Sequence, residues 1–482
     1  MDIGLLILRG RLWWLVVVTL LAAADYAASQ STAVVTVNTP QGIIQGFTED
    51  IDSSLQVARF YSIPYAQPPT SSGTGRWKKP QPVPAWGDVF VTRNDGTMGT
   101  SCIQTRTGTR ANYNNSEDCL TLNVYTRAPV KSGSRKAVLV WIHGGGYSRG
   151  AATEYDGRFL AARQDILVVT INYRLGIMGY FDIDGDGLVE NFAFWDMKLA
   201  LEWVQNNIES FGGDKTHVTI YGGSAGGMAV TLMATSDMFT SLFHRIIGAS
   251  GNFLCPKLIS PPTETVRKRI LEEFGCSDVD CLREKDAVKV DEYARKISAD
   301  LLGTFPTLYF YAPFYEDEII KADLFEVWRY FRKGEEIDAA VREKIISKFQ
   351  SYDYLGGFNT QEGSLILTYL NRLAKTQGFT IEEGANQDMA EQFLNEYLGS
   401  YFPNSYERVK NTVKDIYFRD VSLSSDPSPE VAGVILNIFS DMLFRAPTIA
   451  LLDNHSEQNT TSTYMYTFTY ETHDSQSKNP SW

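Results

Sequence analysis

The sequence predicts an α/β chain built on a mainly parallel central sheet with helices on both faces. Two observations carry this. From Leu120 onward, short apolar β-prone runs alternate with segments of helical period, the texture of strand–helix–strand crossovers. An apolar fraction of 44% and an aromatic fraction of 12% over 482 residues can fill a large core. The same fractions exclude a disordered, collagen-like or low-complexity protein.

Taken in order, the elements begin with a leader. Residues 1–29 read as a secretory signal peptide, followed by one domain over residues 30–482. Arg9 and Arg11 precede Leu12–Ala24, which is apolar except at Thr19, and the small residues Ala27, Ala28 and Ser29 follow. Ala33–Val37 and Gly42–Phe47, joined by a Pro-Gln-Gly turn, predict an antiparallel start. Phe60–Trp86 carries six prolines, at 64, 68, 69, 80, 82 and 84, and reads as an irregular surface segment. Strands are then expected at Leu122–Tyr125, Ala137–Ile142, Leu167–Asn172, Val218–Tyr221, Arg245–Ala249 and Tyr352–Leu355. A helix ending at Asn207 is marked by Trp195, Leu199 and Trp203 at i, i+4 and i+8. Residues Pro262 to about Gln350 are charged and helical, laid over the sheet. The alternation from Thr463 to Tyr470 predicts a late strand.

Charge and cysteine usage narrow the partners. A formal net charge of −13 and a pI near 5.0 argue against nucleic acid, since there is no basic excess to displace counterions from phosphates. No run of about 18 apolar residues reads as a membrane-spanning helix. Five cysteines are too few for a disulfide scaffold. Behind a leader, the sequons at Asn114, Asn454 and Asn459 are expected to carry N-glycans in a secreted, extracellular protein.

Two glycine-rich turns carry the chemistry. Gly222-Gly223-Ser224-Ala225-Gly226 is a G-x-S-x-G between a β-prone strand and the helix-compatible run Ala225–Thr235, the context of a nucleophile elbow. Such a turn holds the Ser224 hydroxyl in the open, above a helix N-terminus where negative charge can develop. His143-Gly144-Gly145-Gly146-Tyr147 follows Ala137–Ile142, and the N–H groups of Gly145, Gly146 and Ala225 form a candidate oxyanion hole. A donor of that kind is typically worth about 2.7–4 kcal/mol of barrier. His143 precedes the nucleophile in the chain and reads as structural. The acid must follow Ser224, and Glu362 in Asn359–Gly363 is the candidate, with Asp317, Glu318 and Asp441 as rivals. No cofactor and no metal enters this chemistry.

From about Val35 onward the chain resembles the type-B carboxylesterases, the family that includes cholinesterases and neuroligins. The segments that carry the resemblance are FYSIPYAQPP, SEDCLTLNVYT, WIHGGGY, NYRLG, WDMKLALEWVQNNIESFGGD, YGGSAGG, FNTQEG and SDMLFRAP. The resemblance implies an α/β-hydrolase fold and hydrolysis of small-molecule esters through an acyl-enzyme. It implies Ser224 as nucleophile, Glu362 as triad acid, Gly145, Gly146 and Ala225 as oxyanion hole, and an Arg76–Glu117 ion pair. It also implies disulfides Cys102–Cys119 and Cys276–Cys281, which leave Cys255 as the odd thiol, read as a small buried hydrophobe.

The departures from the family pattern shape the expectation. Gly223 stands where the family commonly has Glu before the nucleophile, which removes a charge favouring cationic substrates. No Trp lies between Cys102 and Cys119, where cholinesterases hold a quaternary ammonium by cation–π attraction, so short neutral esters are expected as substrates. Tyr309, Phe310, Tyr311 and Phe314 are candidates to narrow the acyl side. The family's catalytic His belongs to a segment that would begin near Pro480–Trp482. The C-terminal part therefore reads as missing, in an incomplete or alternatively ended form with little activity. Of the histidines after Glu362, His455 is expected in a solvent-facing loop and His473 is the candidate substitute base. The competing expectation is a non-catalytic, neuroligin-like adhesion or ligand-binding protein.

Overall fold

The computed structural model describes residues 33–70, 75–95, 97–104, 115–185, 190–255, 263–302, 339–402, 404–457 and 460–469. The expected leader at residues 1–29, Asn114, Asn459, His473, the rival acids Asp317 and Glu318, and the aromatic residues Tyr309 to Phe314 lie outside them.

One twisted sheet organises the chain. Its strands are β1 (Val34–Thr39), β2 (Gly42–Asp50), β3 (Gln56–Pro64), β4 (Thr121–Arg127), β5 (Lys136–Ile142), β6 (Leu167–Ile171), β7 (Gly213–Gly223), β8 (Arg245–Ala249), β9 (Asp353–Asn359) and β10 (Thr463–Phe468). Their spatial order is β1-β2-β3-β4-β6-β5-β7-β8-β9-β10, and the short strand Phe90–Val91 pairs with β2 outside this path. From β1 to β6 the neighbours are antiparallel. From β6 through β10 they are parallel. The central strands are apolar on both faces because both faces are covered: every residue of β6, Leu-Val-Val-Thr-Ile, is buried.

The strand expected at Arg245–Ala249 is found there, whereas the proline-rich reading of Phe60–Trp86 begins too early. β3 runs to Pro64 because a register shift between Phe60 and Ile63 absorbs the irregularity. There Ser62 takes φ 58°, and its N–H donates to Asn123 Oδ1 at 2.9 Å. Pro64 costs little as the strand's last residue.

The helix α1 (Phe192–Asn207) forms as expected. Ala193, Met197, Ala200, Leu201 and Val204 face the core together with Trp203, while Trp195 and Leu199 are half-buried. The Trp195 ring lies under the Lys79 ammonium at 4.1 Å. Within the core, Asp196 accepts from Arg174 Nε and Nη2 at 2.8 and 2.7 Å, a bidentate pair that ties α1 to the loop after β6.

A continuous helix, Pro429–Ser456, is long and apolar enough by length and composition to cross a membrane, with half of its most apolar window buried inside the protein. Its parts α2 (Pro429–Ser440) and α3 (Ala446–Ser456) are joined by a π-turn at Asp441–Arg445. It packs on the segment after β9, where Ser440 Oγ meets Gly363 N–H.

β10 lies at the edge of the sheet and ends at Phe468, two residues short of the expected limit. Tyr464, Met465 and Phe468 on it are each more than half exposed.

Candidate active site

The candidate residues gather at the C-terminal ends of β7, β8 and β9. The registers align Gly223 with Ala249 and Ala249 with Gly357, so the loops leaving these three strands meet. In open parallel sheets this is where ligands bind.

Ser224 sits in the strand-to-helix turn at φ 56° and ψ −124°, a conformation that a non-glycine residue adopts only under constraint. Its N–H donates to the Ala249 carbonyl at 2.7 Å, and its own carbonyl accepts from Met228 N–H at 3.0 Å. The glycines around it are required by contact. A Cβ on Gly222 would lie 2.1 Å from the Gly226 carbonyl oxygen, and one on Gly226 would lie 2.1 Å from that of Ile142. The helix that follows, Ala225–Met233, is buried on every side, which fixes the turn from below.

The loop after β5 lies against this turn. A Cβ on Gly144 would come within 2.5 Å of the Gly223 carbonyl oxygen and 3.1 Å of Ser224 Cβ. Gly145 takes φ 106°, which swings the chain back so that its carbonyl accepts from Ser148 and Arg149 N–H at 3.2 and 3.1 Å. The candidate oxyanion donors Gly145, Gly146 and Ala225 therefore belong to two backbone segments in contact.

His143 is structural, as expected. It is fully buried, its Nδ1 lies 2.8 Å from the Gly144 carbonyl oxygen, and its ring stacks on Tyr173 at 4.3 Å. Tyr173 Oη donates to the His143 carbonyl at 2.7 Å. Burial pulls the imidazole down to a pKa of about 4, so it is neutral at physiological pH.

Glu362 opens the short helical segment after β9 and is buried. One carboxylate oxygen, Oε1, accepts from Ser250 Oγ at 2.5 Å and from the Asn359 N–H at 2.7 Å. The loop is pinned from the far side by α2, whose Ser440 Oγ accepts from Gly363 N–H at 2.7 Å. Arg445 donates to the Thr360 carbonyl and pairs with Asp441 at 2.9 Å. The rival Asp441, held by Arg445 and by Tyr417 Oη at 2.8 Å, is thus a clamp on this loop. Sequence reasoning missed Ser250, Asn359 and Ser440. The position of Ser250, one residue beyond β8 at the same end of the sheet as the elbow, was the available signal.

The other described histidines are held elsewhere. His217 lies beside Asp214 at 3.0 Å, and His244 Nδ1 accepts from Val218 N–H, near the start of the strand that ends at the elbow. The expectation for His455 is corrected: it is fully buried in α3. Its Nδ1 lies 2.7 Å from Thr463 Oγ1 and its Nε2 lies 2.9 Å from the Tyr352 carbonyl oxygen. The polar string around it continues a helix instead of forming a loop. Asn454 is buried in the same turn, and Gln350 Nε2 donates to its carbonyl at 2.8 Å. A glycan there would have to displace the packed helix, so the folded chain does not present this sequon.

Both disulfides are present, Cys102–Cys119 and Cys276–Cys281, with S–S distances of 2.05 and 2.11 Å. Cys255 is free and buried, its thiol pushed up to about 12 by burial, which leaves it inert as a nucleophile. Arg76 donates to both oxygens of Glu117 at 2.6 and 2.8 Å and to the Lys285 carbonyl at 2.7 Å. That pair ties the first disulfide loop to the helices beyond it.

The model of the carboxylesterase family matches residues 33–482. Carboxylesterase 1D of Rattus norvegicus is 33% identical over 95% of this chain and 79% of its own length. Liver carboxylesterase of Sus scrofa is 32% identical over 97% and 81%. Among solved structures, a PNB esterase superposes with a TM-score of 0.67 at 27% identity, covering 91% of this chain and 80% of that one. With this architecture and these relatives, the chain belongs to the carboxylesterase family of ester hydrolases.

Proposed function

We propose that Ser224 is the nucleophile of ester hydrolysis on short neutral esters and that Glu362 is the acid meant to orient a histidine. Gly145, Gly146 and Ala225 N–H then receive the negative charge of the tetrahedral intermediate. The observation that carries this reading is the strained Ser224 turn in contact with the Gly144–Gly146 loop. An adhesion protein has no need of that strain or of a buried carboxylate at the same strand ends.

In the same reading a histidine oriented by Glu362 takes the Ser224 proton. Four of the five histidines of the sequence lie among the described residues and are bonded to other groups, and the fifth, His473, lies outside them. In a comparable serine enzyme the loss of the histidine costs on the order of 10⁶ in kcat. The test is hydrolysis of p-nitrophenyl acetate by the chain, by Ser224→Ala and by His473→Ala. Ser224→Ala is expected to abolish the turnover that the chain shows, and turnover that survives it would overturn the assignment. Loss of turnover in His473→Ala would make His473 the base.

Secretion belongs to the same proposal: a leader at residues 1–29, a catalytic domain over 30–482, and glycans at Asn114 and Asn459. The two disulfides support it, since such bonds persist in oxidising compartments.

A further inference from the structure

Beside the stripe that faces the core, α1 carries a second one. Leu199, Glu202, Trp203, Asn206 and Asn207 follow at the i, i+3, i+4, i+7, i+8 spacing of one helix face. That face lines a cavity of about 610 Å³, walled on its other sides by the β1–β2 turn at Pro40-Gln41, by Pro82-Val83 and by Leu242. The volume falls within the range of about 300–1,000 Å³ usual for small-molecule sites. α1 leads into the start of β7, whose other end carries Ser224, and the cavity shares no lining residue with the candidate active site.

Side-chain amides hold the walls together. Gln41 Nε2 donates to the Val83 carbonyl at 3.1 Å, and its Oε1 accepts from Trp203 Nε1 at 2.8 Å. Gln205 Nε2 donates to the Lys215 and Leu242 carbonyls at 3.0 and 2.9 Å. Asn207 differs. It is 4% exposed, its Nδ2 donates to the Trp203 carbonyl at 2.9 Å, and its buried Oδ1 accepts from no described residue. An amide oxygen buried in that state costs free energy that a donor recovers. Among the described residues lining the cavity Glu202 alone is charged, and it pairs with Lys198 one turn earlier in a partly exposed contact that a second cation can share. Pro40, Pro82, Val83, Leu199 and Leu242 supply apolar surface. An orphaned acceptor and a carboxylate in an apolar-walled cavity suit a positively charged donor on an apolar body.

We propose that this cavity is a binding site for a primary ammonium carried on a compact apolar body. The ammonium N–H donates to Asn207 Oδ1, its charge faces Glu202, and the body rests on Val83, Leu199 and Leu242. The site is separate from Ser224 and does not depend on the esterase reading.

The test is a calorimetric titration of the 482-residue chain with 1-adamantylammonium, with 1-adamantanecarboxylate as the same body carrying the opposite charge. The ammonium is expected to bind saturably at one site, and the carboxylate at least about tenfold more weakly. Asn207→Leu, which keeps the shape but removes the acceptor, and Leu199→Trp, which fills the cavity, are each expected to weaken ammonium binding by about tenfold or more. Glu202→Gln is expected to weaken it by about threefold or more, and Ser224→Ala to leave it within about twofold of the parent. Thermal melting shows which variants are folded, and Leu199→Trp, at a half-buried position, decides alone if Asn207→Leu fails to fold. Absence of saturable ammonium binding, equal binding of the carboxylate, or binding unchanged in either folded cavity variant would overturn the site. Loss of binding in Ser224→Ala would place the ammonium at the elbow and overturn it as well.

Discussion

Ser250 Oγ donates to Glu362 Oε1 at 2.5 Å while the Ser250 N–H donates to the Gly357 carbonyl at 2.8 Å. One residue, itself at φ 50°, thereby couples the end of β8 to the end of β9 and fixes the carboxylate between them. The neighbouring Ala249 carbonyl accepts from Ser224 N–H, so Ser224 and Glu362 are positioned by adjacent residues of a single loop.

Removing that hydroxyl strands a buried carboxylate oxygen with one donor fewer. Ser250→Ala is therefore expected to cost about 1.5–3 kcal/mol, the usual range for a hydrogen bond to a charged group. Urea unfolding at neutral pH checks it, and a change below about 0.5 kcal/mol would show that the bond carries no weight.

Acid should weaken the fold through His143. Its pKa is about 4 in the folded chain against about 6.5 unfolded, so between these values the unfolded state binds more protons. Stability then falls as pH drops from about 6.5 towards 4, by on the order of 3 kcal/mol from this residue, and is flat above. Burial lowers the His455 imidazole as well, in the same direction. Unfolding curves at pH 7.5, 6 and 4.5 measure the slope, and His143→Gln should flatten it.

The elbow glycines should divide sharply. Gly226→Ala forces a Cβ to 2.1 Å from the Ile142 carbonyl, a clash with backbone that cannot rotate away. A loss of about 3 kcal/mol or more is expected, with low soluble yield. Gly223→Ala meets only a ring edge, and a change under about 1 kcal/mol is expected. Equal melting temperatures for the two variants would refute this steric account.

Much of this was legible in the sequence because it was local. The glycines around Ser224 sit where strand turns to helix, and the β8 strand was found at its observed limits because its apolar run is cut off cleanly by polar residues. What escaped was tertiary. Asn454-His455-Ser456 looks like a polar loop, yet Phe349 and Tyr354 place their rings 5.1 and 5.5 Å from the imidazole and draw the helix inward. Nothing within that string announces two rings contributed from residues a hundred positions earlier.

Substrate charge gives a further prediction. With no Trp between Cys102 and Cys119 and no carboxylate at Gly223, the choline cation finds little to hold it. With imidazole supplied in solution as a surrogate base, kcat/KM for a neutral acetate should exceed that for the matched choline ester. A preference for choline would reverse the assignment.

The role of Ser224 is tested most directly by covalent labelling. The 482-residue chain is incubated with a fluorophosphonate ester, with and without imidazole, and the adduct is located by peptide mass spectrometry. The account predicts phosphonylation of Ser224, accelerated by imidazole and abolished in Ser224→Ala. An adduct on another serine, or no adduct on Ser224 at saturating imidazole, would contradict it.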